Sequence, residues 1–286
     1  MAECNHDCNS CNEECDERQG CSHDCSSCGQ NCSERIEMAK PLEDVKIGKI
    51  VAVLSGKGGV GKSMVTSLLA VELAQKGYKV GIMDADITGP SIPKMFNLNN
   101  QLYGDETGIF PAISTLGIEV VSINMMLENE DVPVLWRGPI LGGVIKQFYS
   151  EVHWGELDYL LIDMPPGTSD VAISIIQQIP VDSFVMVTTP SKLVSMVVGK
   201  AINMAKQVNK QIIGLVENMA YVKCDECGHE INIYKDDVTQ EIADKYGLDV
   251  VGKLPIDPVL ANLSDDGDIE SYDSNLLDKL IDKLTK

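Results

Sequence analysis

Gly56-Lys57-Gly58-Gly59-Val60-Gly61-Lys62-Ser63 decides the fold of this chain. The octapeptide fits G-x-x-x-x-G-K-[ST], a loop whose glycines let successive backbone N–H groups turn inward on phosphate oxygens. A β-branched apolar stretch precedes it, Ile50-Val51-Ala52-Val53-Leu54, and reads as a strand. After it, from Met64 to Gln75, apolar residues recur at helical spacing, so the loop opens into a helix whose N-terminus adds partial positive charge. Lys62 is then placed to reach β- and γ-phosphates, and the Ser63 hydroxyl to hold Mg2+. A glycine-rich turn that binds nothing would need neither the Lys-Ser pair nor the strand and helix in register with it. The expectation is an ATP site running over Gly56, Lys57, Gly58, Gly59, Val60, Gly61, Lys62 and Ser63.

Outward from the loop the pattern alternates. Strands are predicted at 49–54, 79–84, 118–123, 158–163, 182–188, 211–217 and 249–253, and helices at 62–76, 139–151, 169–178, 192–208, 236–246 and 275–284. Runs such as Tyr159-Leu160-Leu161-Ile162 and Phe184-Val185-Met186-Val187 suit a sheet covered on both faces. The fold class is therefore α/β, a doubly wound and mostly parallel sheet with ligands at the carboxyl ends of its strands. Residues 97–117, rich in glycine and asparagine, read as a surface excursion. The acidic residues ahead of the last helix read as a turn-rich linker.

The chain has 286 residues and a formal net charge of −20, from 43 acidic against 23 basic residues. Such a surface repels phosphate backbones and anionic lipid, which argues against nucleic acid or membrane as a partner. No apolar stretch is long enough to span a bilayer, and the start of the chain lacks the basic and apolar regions of a signal peptide, so cytoplasmic residence is expected.

Eight of the ten cysteines fall within the first 32 residues. Cys4, Cys8, Cys11 and Cys15 form one C-x3-C-x2-C-x3-C unit, and Cys21, Cys25, Cys28 and Cys32 repeat it, each unit with His-Asp after its first Cys. In a reducing compartment clustered thiols read as metal ligands. Four thiolates per unit suit an iron–sulfur cluster or zinc equally. His6 and His23 are either further ligands or solvated linker residues. The spacing also resembles a radical-SAM triad, but no barrel follows it. Three segments are expected: a Cys-rich metal-binding extension at 1–40, an ATPase domain at 41–270, and an amphipathic helix docked on the core at 271–286.

Three further constellations carry chemistry. Asp84-Ala85-Asp86-Ile87-Thr88-Gly89-Pro90-Ser91 ends the second predicted strand, where a carboxylate can orient water or Mg2+. Leu160-Leu161-Ile162-Asp163 is an apolar strand ending in Asp, the arrangement that holds Mg2+ through water, and Pro165-Pro166-Gly167 makes a stiff loop where a phosphate-sensing switch belongs. Near the carboxyl end lies Cys224-Asp225-Glu226-Cys227-Gly228-His229, half of a tetrahedral or cubane site that needs two ligands from elsewhere. Taken alone, this pair could equally be a zinc knuckle.

The second lysine of the loop, Lys57, resembles the deviant Walker loop of the MinD, ParA and nitrogenase-iron-protein group. Asp84 to Ser91, Trp136-Arg137-Gly138-Pro139, Trp154 to Asp158, Asp163 to Thr168 and Val216-Glu217-Asn218-Met219 resemble the Mrp/NBP family of iron–sulfur carrier ATPases, in family order from residue 48 to about 265. That resemblance implies a homodimer that binds and hydrolyses ATP slowly with Mg2+. It implies that Lys57 reaches the partner's phosphates, Asp86 positions the attacking water with Asp84 in support, and Asn218 reads the adenine. It also implies that Cys224 and Cys227 of two subunits share a transferable [4Fe–4S] cluster, loaded by a scaffold and delivered to apo-proteins. Asp225 departs from the proline usual in the family at that position. A positioning ATPase of the MinD/ParA kind, a reductase like the nitrogenase iron protein, and a zinc-bearing regulatory ATPase are the competing classes.

Overall fold

Long apolar runs broken by short polar loops stack here as parallel strands. The computed structural model describes residues 38–86, 91–98, 101–126, 138–224, 226–234 and 237–286, apart from the side chains of 138–141 and 192–196. The amino-terminal cysteines, His6, His23, residues 87–90, Trp136, Arg137 and Asp225 lie outside the described residues. Residues 39–286 form one compact unit.

In chain order the unit runs β1 (Lys46–Ser55), α1 (Lys62–Gln75), β2 (Val80–Asp84), α2 (Ile92–Met95), β3 (Tyr103–Asp105), β4 (Gly108–Phe110), β5 (Ala112–Ile113) and β6 (Glu119–Ser122). It continues with α3 (Gly138–Ser150), β7 (Glu156–Asp163), α4 (Asp170–Gln178), β8 (Ser183–Thr188), α5 (Lys192–Gln207) and β9 (Gln211–Glu217). The last elements are β10 (Tyr221–Lys223), β11 (Glu230–Asn232), α6 (Val238–Tyr246), β12 (Val250–Lys253), α7 (Pro258–Asp266) and α8 (Asp278–Leu284).

The main sheet has the order β12-β9-β8-β1-β7-β2-β6-β5 and is parallel throughout except for β5 against β6. The predicted doubly wound, mostly parallel sheet is what forms. Every residue of β2 and β8 is buried, as is β1 from Ile50 onward, so both faces of the sheet are covered. β1 sits in the middle between β7 and β8, and the carboxyl ends stand level: Val53 and Asp84 both pair with Asp163, and Thr188 with Glu217. Chemistry-bearing residues from distant parts of the chain therefore meet at one edge of the sheet.

Helix α1 is buried along most of its length, with Val65, Leu68, Leu69 and Leu73 facing apolar neighbours. Its buried Glu72 is held from the carboxyl end of the chain, by the Ser274 hydroxyl and by the Leu277 N–H at 3.2 Å. Leu277, Leu280, Ile281 and Leu284 are buried in the same core, and Asp278 pairs with Lys76 at 2.8 Å. Ahead of α8 the structure differs from the acidic linker read in the sequence, because residues 258–266 form α7. Asp257 accepts hydrogen bonds from the N–H groups of Val259 and Leu260, Pro258 opens the first turn, and left-handed Gly267 closes the helix. Local capping outweighs acidic composition. No helix among the described residues is long and apolar enough to cross a membrane.

Candidate functional site

The loop between β1 and α1 is shaped by close backbone approaches. A Cβ on Gly56 would come within 2.6 Å of the Val198 nitrogen in α5, so only glycine fits there. Gly61, at φ 77, begins α1 in the left-handed region with no side-chain cap, and a Cβ there would meet Asn218 Nδ2 at 2.1 Å. The first-turn N–H groups of α1 are thus left to whatever anion the loop encloses.

Behind the loop three carboxylates surround one ammonium. Lys62 is 5% exposed, with Nζ 2.8 Å from Asp163 Oδ1 and 3.4 Å from Asp86 Oδ2. Its Nζ makes no aligned hydrogen bond among the described residues, so the contacts are ionic and the group is readily drawn to a better-placed anion. Asp163 is fully buried; its Oδ2 accepts from Ser63 Oγ at 2.6 Å and its Oδ1 from Thr66 Oγ1 at 2.9 Å. Asp84, also buried, accepts from Ser122 Oγ at 3.0 Å and from the Asp86 N–H at 3.2 Å. Burial, and then the negative charge of Asp163, hold the Asp84 carboxyl well above the ordinary carboxylate range. Lys57 is exposed on the lip of the loop.

The segment after β7 closes over this pocket. Gly167, at φ 76, donates its N–H to Ser55 O at 2.9 Å, and Pro166 lies against Gly58. Pro165 is buried, so the stiff Pro-Pro unit is wedged between sheet and loop.

Asn218 follows β9 directly and is 3% exposed. Its Nδ2 donates to Val60 O at 2.9 Å and its Oδ1 accepts the Met219 N–H at 3.0 Å. From there the chain enters the β10–β11 hairpin, paired Tyr221 with Asn232 and Lys223 with Glu230. Cys224 and Cys227 sit on its turn as thiols, the first half-buried and the second exposed. The turn is held by Cys224 N–H to His229 O at 2.9 Å and by Gly228 N–H to Cys224 O at 2.8 Å, with Gly228 at φ 70. Among the described residues no group of three or more His, Cys, Asp or Glu gathers as a metal site.

Lys62, Ser63, Asp86 and Asp163 thus come together, Asn218 bears on the loop, and Cys224 and Cys227 share a separate turn. Sequence reading missed Thr66 and Ser122, which hold two of the carboxylates. Thr66 could have been found, since it lies one helical turn after Lys62 on the face turned to β7. Ser122 could not, because only strand pairing brings it to Asp84.

A phosphate loop after the central parallel strand, with acidic strand ends beside it, defines a P-loop NTPase. The fold is that of Pyrococcus furiosus cell division ATPase MinD, with a TM-score of 0.61 at 20% identity over 83% of this chain and 98% of that one. The sequence model of the NUBPL iron-transfer P-loop NTPase family (ParA) matches residues 46–286, and the chain belongs to that family. An iron-sulfur cluster carrier protein of Clostridium perfringens is 46% identical over 234 residues, 79% of this chain and 82% of the relative. One from Saccharolobus solfataricus is 48% identical over 220 residues, 76% of this chain and 74% of the relative. A nucleotide-binding protein of Archaeoglobus fulgidus, solved in complex with ADP, superimposes with a TM-score of 0.73 at 44% identity, covering 80% of this chain and 90% of that one.

Proposed function

We propose that this protein is an ATP-dependent carrier that delivers iron–sulfur clusters to apo-proteins, with the cluster as cargo on Cys224 and Cys227. The observation that carries the reading is the direct run of chain from Asn218, on the phosphate loop, to the thiol turn. Family membership and the names of the relatives support it. A nucleotide site alone would fit many ATPases. A nucleotide site joined to a thiol pair on a turn, one thiol half-buried and one exposed, fits a switch that controls cargo.

The chemistry follows from the residues present. Lys62 leaves the carboxylates for the β- and γ-phosphates, and Lys57 of one protomer neutralises phosphate charge in its partner within a closed homodimer. The oxygen donors Ser63 and Asp163, 2.6 Å apart, suit a hard divalent cation. They would hold the Mg2+ that accompanies ATP, whose charge would offset that of the phosphate oxygens. Asp86 orients the attacking water, Asp84 supports it, and Asn218 keeps one amide N–H for the adenine. Hydrolysis is slow and Mg2+-dependent, because a carrier needs a switch more than flux. Two subunits bring two thiols each, which completes a four-thiolate [4Fe–4S] site. The cysteine units at 4–15 and 21–32 hold further iron–sulfur or zinc, and the protein works in the cytoplasm with a loading scaffold.

A positioning ATPase of the MinD kind is disfavoured because the apolar face of α8 is already spent on the core. The deciding experiment is anaerobic reconstitution of the full chain and of Cys224→Ala/Cys227→Ala with ferrous iron and sulfide, counting iron, sulfide and zinc per chain. Loss of two irons per chain, one four-iron cluster per dimer, in the double variant is the expected result. Full retention of iron, or zinc in its place, refutes the cargo site.

A further inference from the structure

Both polar atoms of the Asn218 side chain are engaged within the protein. The amide bridges Val60 O on the phosphate loop and the N–H of Met219, while the Asn218 N–H donates to Thr188 O at the end of β8. Val60 lies between Gly59 and Gly61, at φ 79 and φ 77, so the carbonyl that Asn218 grips belongs to the part of the loop that wraps phosphate. Met219 adopts φ 56, a left-handed conformation that a residue with a Cβ keeps only when its surroundings impose it. Its side chain is 36% exposed, so core packing is not what imposes it. The Asn218 amide closes onto the Met219 N–H on one side and Leu254 O holds the Ala220 N–H on the other, so the residue is constrained from both.

The ends of this segment are fixed. Before it, the 3% exposed Glu217 accepts from the Thr239 hydroxyl and lies 3.2 Å from Lys253 Nζ. After it, Ala220 N–H donates to Leu254 O and Ile256 N–H to Tyr221 O, both at 2.8 Å. Residues 218 and 219 are therefore a short span between anchored ends, gripping the phosphate loop at one end and leading into β10 and Cys224 at the other.

We infer that Asn218 and Met219 form a coupling strap, by which nucleotide at the phosphate loop changes how firmly Cys224 holds its cluster. Asn218 is the positioning residue, acting through Val60 on one side and Met219 on the other. When phosphate draws the Val60–Gly61 backbone inward, the grip on Val60 O shifts, the constraint on Met219 changes, and because Glu217 and Ala220 are anchored the change passes as strain through Met219 into β10 and its thiol turn. By linkage the cluster must then change nucleotide affinity by the same factor. The inference rests on the cargo function proposed above.

The test is the ratio of ATP dissociation constants for apo and cluster-reconstituted full-length protein, by calorimetry under anaerobic conditions. It is taken for wild type, Asn218→Ala and Met219→Gly. Because the ratio is formed within each variant, a change in intrinsic ATP affinity cancels. Wild type is expected to differ from unity by fivefold or more, the range of ordinary allosteric coupling. Both variants should fall to within twofold of unity, and Met219→Gly keeps the test alive if Asn218→Ala folds poorly, since glycine accepts the left-handed conformation. A wild-type ratio retained in both variants overturns the strap and leaves the carrier reading standing. A wild-type ratio of one overturns the coupled carrier, and the strap with it.

Discussion

Removing the Lys62 ammonium should destabilise the nucleotide-free protein far more than the loss of a flexible loop side chain would suggest. Lys62 is the cation that the buried Asp163 and the largely buried Asp86 face, at 2.8 and 3.4 Å, and it counters the charge of Asp84 as well. Lys62→Ala takes this cation from the fully buried Asp163 in a low-dielectric pocket, and breaking a buried pair of this kind costs about 3–5 kcal/mol. For a unit of this size each kcal/mol shifts Tm by about 2–4 °C, so the drop should be roughly 6–20 °C. The loss must depend on pH. Asp84 is already raised above its unfolded value, so its folded form takes up protons more readily than the unfolded chain. Such a group favours the fold at low pH and loses that stability as pH rises through the folded value. Without Lys62, whose charge lowers it, Asp84 moves further up, and the window of loss extends to higher pH. The assay is differential scanning calorimetry of the full chain in EDTA without nucleotide, at pH 6.5 and pH 9.5. The variant should lie below wild type at pH 6.5 and further below it at pH 9.5, where wild-type Asp84 has lost its proton and the variant's has not, and adding Asp163→Asn should recover at least half of the deficit. A Tm unchanged at pH 9.5, or a deficit equal at both values, would refute the charge reasoning.

Thr66→Val is isosteric but removes a hydrogen bond to the buried Asp163, worth about 1.5–3 kcal/mol for a charged acceptor. Urea denaturation should read that loss in Thr66→Val and little of it in Thr66→Ser. Glu119, part-buried on β6 with Oε2 unpartnered among the described residues, is pushed up to about 7 by burial, against a weaker opposing pull from Lys79. Its cost is absent below its unfolded value near 4.5 and grows as pH rises towards 7, so Glu119→Gln should stabilise by about 1–2 kcal/mol at pH 8 and by nothing measurable at pH 4.5. Leu280→Ala on α8 should cost about 2–5 kcal/mol in the same denaturation assay, since the side chain is fully buried in the core. Loss of less than 1 kcal/mol would mean that the helix is not a working part of the domain.

Much of the fold can be read in the sequence because the central strands are buried on both faces and leave unbroken apolar runs. The seven strands and six helices read there lie within a few residues of those observed. The small hairpin strands around 103–110 and 221–232 were not legible, since exposed side chains carry little pattern. Helix α7 was hidden by its acidic composition, although Asp257, Pro258 and Gly267 spell its two ends. At the candidate site the motifs locate Lys62, Asp163 and the thiol pair, but not how they are held. Thr66 contacts Asp163 across 97 positions of sequence and Asn218 reaches Val60 across 158, so register and topology decide both. The sequence reading of Asn218 as a base-reading residue gave no hint of its grip on the loop.

The measurement that bears most directly on the account is cluster delivery. Full-length protein reconstituted with iron and sulfide is mixed anaerobically with an apo-protein that needs a [4Fe–4S] cluster for activity, with ATP, with ADP and without nucleotide. The account predicts activation whose rate changes with nucleotide, and none from Cys224→Ala/Cys227→Ala. Equal activation by wild type and the double variant, indifferent to nucleotide, would contradict it.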